Sequence, residues 1–207
     1  MKWIMFSVVL NLLLFNQQVI AEDYLSAVMA RMQHQSAVKI RYKETRHLEL
    51  MDEPWQGSGY LYALSPDLMI KEQWYPQKEI MAVNADKLYY YDPVNNRRHQ
   101  SQMTTDNPLS LNIAVFKALI NHDKQLLEEY YQIEFCSKVE QWLLTLIPKQ
   151  QTTLAKIVVT GLPEQAANTI SVYQKDGDYN EFSLIKEGEG ETELTMIKIL
   201  AEQLNIK

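Results

Sequence analysis

The sequence is short of the residue types and patterns on which most reaction chemistry is built. It has one cysteine in 207 residues, Cys136, so no intramolecular disulfide can form and packing alone must hold the chain together. The Phe135-Cys136 setting reads that thiol as a small buried hydrophobe and not a nucleophile. Basic residues are outnumbered, 20 Lys and Arg against 26 Asp and Glu. That balance argues against nucleic acid and against simple electrostatic attachment to anionic lipid. Four histidines, His34, His47, His99 and His122, stand singly, outside any metal-binding spacing such as H-E-x-x-H. No glycine-rich phosphate loop, internal repeat or low-complexity tract occurs.

Three short stretches resemble functional motifs and fail their spacing. Gly57-Ser58-Gly59 lacks the G-x-S-x-G of a nucleophile elbow and reads as a turn serine. Asp176, Asp178, Asn180 and Glu181 lack the sixth-position glycine and distant glutamate of a calcium loop and read as a hairpin tip. Arg97-Arg98-His99 reads as a solvated turn. No catalytic residue, metal site or cofactor is assigned, and the chain is not expected to be an enzyme.

What the sequence does have begins with an address. Lys2 precedes an apolar run of 13 residues from Trp3 to Phe15, too short for the roughly 20 that span a bilayer. Val19-Ile20-Ala21 then offers the small residues a signal peptidase inspects. Residues 1–21 are therefore expected to be a cleaved secretory signal, and residues 22–207 a single domain. Losing Lys2 takes the net charge from −6 to −7. No cysteine lies near the cleavage point, so a lipidated N-terminus is not expected.

Periodicity divides the rest. Leu25, Val28, Met29 and Met32 share one helical face, predicting a helix over 23–35 with Asp23 as cap. Val38, Ile40 and Tyr42 alternate with Lys39, Arg41 and Lys43, the period of a half-buried strand. Residues 51–59 read as a break. A meander follows: strands at 59–65 and 68–75 around Ser65-Pro66-Asp67, at 80–83 and 87–91, and at 97–103. Pro108 opens a helix with Leu109, Ile113, Phe116 and Ile120 on one face, and a second helical piece covers 124–130. Strands return at 132–137, 141–147, 155–160, 169–175 and 179–186, with a hairpin at Asp176-Gly177 and an acidic loop at 187–191. The tail 193–204 fits either period. The fold class is α+β, one extensively antiparallel sheet with two or three helices.

In order, the chain reads Gly59-Tyr60-Leu61-Tyr62, Ser65-Pro66, Trp74-Tyr75-Pro76, Asn84-Ala85-Asp86 and Leu88-Tyr89-Tyr90-Tyr91-Asp92-Pro93. Asn107-Pro108-Leu109 and Trp142-Leu143-Leu144-Thr145-Leu146-Ile147-Pro148-Lys149 follow. That succession resembles the LolA-like periplasmic lipoprotein carriers, as a divergent member. The resemblance implies a strongly curved antiparallel sheet, an unclosed β-barrel, with helices covering its concave side and an apolar cavity for acyl chains between them. On that reading the lining comes from Val38, Ile40, Leu61, Ala63 and Met69. Met81, Val83, Leu88 and Tyr90 continue it on later strands, and Ile113, Phe116 and Ile120 face it from the helical lid. The same residues would equally build a closed core.

The family places an arginine before the first proline of this pattern, where it latches the lid. Here that position is Ser65, which has no charge and fewer donors. The resemblance implies a periplasmic, monomeric carrier that shuttles an acylated lipoprotein or other lipid-like cargo from the inner toward the outer membrane. Its partners would be an inner-membrane export complex and an outer-membrane acceptor, with no cofactor. The alternatives are a lipoprotein-binding sensor or adaptor of the same fold, or a secreted hydrolase.

Overall fold

The computed structural model describes residues 25–32, 36–64, 67–103, 115, 117–119 and 123–206. Expectations that rest on residues 1–24, His34, Ser65-Pro66, Asn107-Pro108-Leu109, Ile113, Phe116, Ile120 or His122 lie outside the described residues.

A helix over 25–32 (α1) leads into strands β1 (Val38–His47), β2 (Trp55–Leu64) and β3 (Leu68–Tyr75). The meander continues through β4 (Glu79–Asn84), β5 (Lys87–Asp92) and β6 (Arg97–Gln102). Residues 115 and 117–119 are helical, and helix α2 (Lys124–Tyr130) follows, capped by Asp123, whose carboxylate accepts from the Leu126 amide. A second meander comprises β7 (Tyr131–Ser137), β8 (Trp142–Pro148), β9 (Leu154–Gly161), β10 (Thr169–Gln174) and β11 (Tyr179–Glu189). Helix α3 (Glu191–Gln203) ends the chain, with Glu191 and Glu193 in its first turn, where the helix dipole favours negative charge.

All the strands form one antiparallel sheet in the order β6-β5-β4-β3-β2-β1-β11-β10-β9-β8-β7. The first strand is thus the central one. It pairs with β2 on one side and, after the whole second meander, with β11 on the other. Eleven twisted strands exceed what an open sheet carries without curling. The sheet does not close: β6 and β7 remain as its two edges. The outer residues of β6, from Arg97 to Gln100, are exposed and polar or charged, which guards an open edge against pairing with another chain.

Each face of the sheet carries its own apolar cluster. On the inner face, Leu25, Val28, Met29 and Met32 of α1, with Val115, Ala118, Leu119 and Leu127, pack against Tyr42, Leu144, Leu146, Ile157, Val159 and Ile170. On the outer face, Ile197, Leu200 and Leu204 of the α3 segment pack against Tyr62, Ile70, Ile80, Ala82 and Tyr89. The tail whose period was undecided is therefore a helix, and it covers the convex side of the first meander.

Four local readings are corrected. Residues 55–59 belong to β2, and Ser58 lies in a strand, not a turn. Gly57 and Gly59 look like punctuation in sequence but are needed in the strand for space. A Cβ on Gly57 would fall 2.3 Å from the folded-back Trp55 ring, and one on Gly59 would fall 2.0 Å from the Glu72 carbonyl at a β-bulge. The acidic stretch from Glu187 continues β11 through Glu189, because Lys39 and Arg41 of β1 pair with Glu187 at 3.4 and 2.8 Å. Cys136 is exposed on the edge strand β7, not buried, since alternation turns it away from the Phe135 face. Arg98 lies in a strand, not a turn, and its exposed guanidinium is engaged: it donates to the Gln203 carbonyl at 3.1 Å and covers the Tyr91 ring at 3.9 Å, tying α3 to β6.

Gly59→Ala should lower stability by about 1–3 kcal/mol, because backbone and not a flexible side chain blocks the new methyl. A denaturant midpoint unchanged from wild type would show that the bulge relaxes freely.

Candidate ligand-binding face

Directly opposed residues in an antiparallel sheet point to the same side. The register therefore defines which side chains share the inner face. One row runs Val38, Ala63, Met69, Val83 and Leu88, from β1 to β5. The next runs Ile40, Leu61, Lys71, Met81 and Tyr90. All nine strand residues expected to line a cavity thus lie on one face, in two adjacent rows. Ile40, Leu61 and Met69 join the inner apolar cluster. Val38, Ala63 and Val83 are buried, whereas Met81, Leu88 and Tyr90 are half-buried. The tyrosines Tyr60 and Tyr62 and the residue Trp74 lie on the opposite side, where Tyr62 meets the α3 cluster.

The second meander extends the face. A third row runs Phe135, Leu144, Val159, Ile170 and Phe182 across β7 to β11, apolar on every strand, and ends on Glu44 of β1. A fourth runs Ile133, Leu146, Ile157, Val172 and Asn180 to Arg46 and Trp55.

Where the two sets of rows meet, the apolar face turns polar. Glu44 is 2 % exposed. Its two carboxylate oxygens accept from Lys71 Nζ and Arg46 Nε, each at 2.6 Å. Lys71 sits between the apolar partners Leu61 and Met81, with its ammonium 4.9 Å from the Tyr42 ring centroid and 5.8 Å from that of Phe182. Arg46 lies 4.2 Å over the Trp55 ring, which itself folds over Gly57. Burial pulls the Lys71 ammonium below the usual lysine value, with Glu44 acting in the opposite sense. Tyr42 is fully buried, and its hydroxyl has no hydrogen-bond partner among the described residues. Burial, then the negative charge of Glu44, raises that phenol well above its ordinary value.

The sequence reading did not single out this group. A signal was present: Glu44 and Arg46 keep the even-numbered alternation of Val38, Ile40 and Tyr42, which puts them on the buried face. Among the described residues, no group of three or more His, Cys, Asp or Glu is placed to hold a metal. The hairpin acids satisfy backbone instead. Asp176 accepts from the Asp178 amide, and Asp178 from that of Glu49. His47 stacks on Tyr179 at 4.2 Å. Before the start of β3 and at the β4–β5 turn, the helical Lys117 lies 3.8 Å from Asp67 and donates to the Ala85 carbonyl at 3.3 Å.

An eleven-stranded antiparallel sheet left open, with helices against an apolar inner face, defines an unclosed-barrel class of protein. Within that class the chain belongs to the family described as outer membrane lipoprotein carrier protein LolA-like, which it matches over residues 20–184. No curated protein matches the sequence. Among solved structures, a LolA-superfamily protein from Nitrosomonas europaea is 8 % identical, with a TM-score of 0.44, covering 84 % of this chain and 96 % of that one. The lipoprotein LppX from Mycobacterium tuberculosis is 9 % identical, with a TM-score of 0.39, covering 82 % and 98 %. In the Pseudomonas aeruginosa MucA/MucB complex the matched chain is 9 % identical, with a TM-score of 0.44, covering 84 % of this chain and 59 % of that one. Likenesses this distant concern the fold and say nothing of cargo.

Burial raises Tyr42 and Tyr62 and pushes Tyr131 up to about 12. A folded value above the unfolded one means stability is complete below pH 10 and is lost as pH climbs toward the folded value, because only the unfolded chain ionises. Above pH 10.5 the unfolded lysine is largely neutral as well, so the tyrosines dominate. Thermal melts should therefore fall steeply with pH in that range, and less steeply in Tyr42→Phe. Equal slopes for the two proteins would contradict the burial of this phenol.

Proposed function

We propose that the protein is a periplasmic, non-catalytic carrier that binds the acyl chains of a lipoprotein or similar amphiphile on the inner face of its sheet. The supporting observation is the pair of adjacent cross-strand rows from β1 to β5, aliphatic or Met at every position but Lys71 and Tyr90. Residues 1–21 are read as the signal that delivers the chain to the periplasm, and 22–207 as one carrier domain acting as a monomer. An inner-membrane donor complex and an outer-membrane acceptor are the partners this reading requires.

The energetics explain why such a face is needed. Each methylene withdrawn from a membrane costs about 0.8 kcal/mol in water, so a chain of roughly 16 carbons costs on the order of 12 kcal/mol to expose. An apolar groove lined from several strands offsets most of that cost while leaving release achievable. Met69 and Met81 add side chains that repack around different chain shapes.

Native mass spectrometry of protein isolated from the periplasm should show a bound acylated molecule. The purified protein should also take up an apolar fluorescent probe. Leu88→Lys, on the half-buried part of the face, should reduce probe uptake severalfold, whereas Ile185→Lys on the exposed outer face should not. Empty protein that ignores the probe would sink the carrier reading. Binding without extraction of cargo from vesicles would favour a sensor or adaptor instead, and turnover of an ester panel would favour a hydrolase.

A further inference from the structure

We propose that Lys71 and Tyr42 form a polar anchor within the inner face, which selects an amphiphile whose head carries hydrogen-bond-accepting oxygen, a carboxylate or an ester carbonyl. The proposal rests on the acyl-binding reading above and adds a chemical preference to it.

The anchor differs from an ordinary buried ion pair in its arithmetic of donors. A lysine ammonium has three donors and no acceptor. One of the three goes to Glu44 at 2.6 Å. Glu44 is already committed on both oxygens, the other to Arg46. Tyr42, whose ring centroid lies 4.9 Å from the same ammonium, adds a buried hydroxyl with no partner among the described residues. The half-buried ammonium thus has donors beyond the one Glu44 takes, and the fully buried phenol has a hydroxyl to offer. An unpaired buried donor is costly, so the site is incomplete by itself.

The charges around it point the same way. Glu44, Lys71 and Arg46 sum to one positive charge in direct contact. Glu79, from the start of β4, adds a negative charge that acts on Lys71 and on Tyr90. The wider group is therefore close to neutral. It can accept a neutral carbonyl or a single carboxylate, whereas a cationic head would have to displace Lys71 or Arg46 from Glu44. The position fits an amphiphile too. Lys71 interrupts the second apolar row between Leu61 and Met81, while the neighbouring row from Val38 to Leu88 is apolar throughout. A tail lying along that row would bring its head to the ammonium.

The test is competition against an apolar fluorescent probe by four ligands of one chain length: palmitate, methyl palmitate, hexadecanoyl glycerol and hexadecylamine. Each is measured on wild type, Lys71→Met and Tyr42→Phe. In wild type the acyl ligands should compete at least about tenfold better than the amine, the scale of one hydrogen bond to a charged group. Lys71→Met should bring all four close together, and Tyr42→Phe should narrow the gap. The phenylalanine variant keeps the ring and loses only the orphaned hydroxyl, so it should fold at least as stably as wild type. Palmitate beating its ester identifies a carboxylate head, and the reverse an ester, and either supports the anchor. Equal competition by all four ligands in wild type overturns the anchor and leaves the carrier reading standing. Selectivity unchanged in a folded Tyr42→Phe and a folded Lys71→Met also overturns it. A wild-type protein that binds neither probe nor ligand overturns the carrier reading and the anchor with it.

Discussion

The structure depends on one strand having two neighbours drawn from opposite ends of the chain. Every residue of β1 pairs with β11, and nearly every one with β2, so Val38 meets Ala63 on one side and Glu189 on the other. Without the β1–β11 pairing there are two separate meanders, each with one exposed flank. With it, the two meanders share one continuous ladder, and the rows of the first meander meet those of the second at β1 and β11. The closure brings together residues some 150 positions apart, yet loop entropy grows only as the logarithm of length, so the added cost over a short hairpin is a few kcal/mol. The salt bridges of Glu187 with Lys39 and Arg41 lie across that seam.

A sheet with apolar side chains on both faces must be covered on both. The chain does this asymmetrically. Helix α1, the helical residues near 118 and α2 fill the inner side chiefly against the second meander, and α3 seals the outer side of the first. The inner face of the first meander is thus opposite the best-braced part of the molecule. Arg98, holding the end of α3 through the Gln203 carbonyl and the Tyr91 ring, is part of that bracing.

Most of the strands were legible, because alternation over five or six residues leaves little ambiguity and the turns at 96 and 177 carry Asn and Gly, which suit positive φ. The failures share a cause. Gly57 and Gly59 look like breakers until a neighbouring ring and a close backbone approach are known to need the space. Glu187 looks like loop until its cationic partners from β1 are placed beside it. Helix α3 has Met196 and Ile199 exposed as well as Ile197 and Leu200 buried, so its apolar pattern has no single period. That the nine expected strand residues share one face was legible because parity alone assigns a face. The Lys71–Glu44–Arg46 group was passed over because a charge on a strand is ordinarily read as solvent-facing, whatever its parity.

The unpaired edges at β6 and β7 carry a mechanical meaning. In a closed barrel the girth is fixed by hydrogen bonds, and admitting a larger guest means breaking a ladder. Here the gap between the edges is spanned by no strand pairing. A change of internal width would therefore be a change of curvature, like that of a cuff, and would leave every interstrand ladder intact.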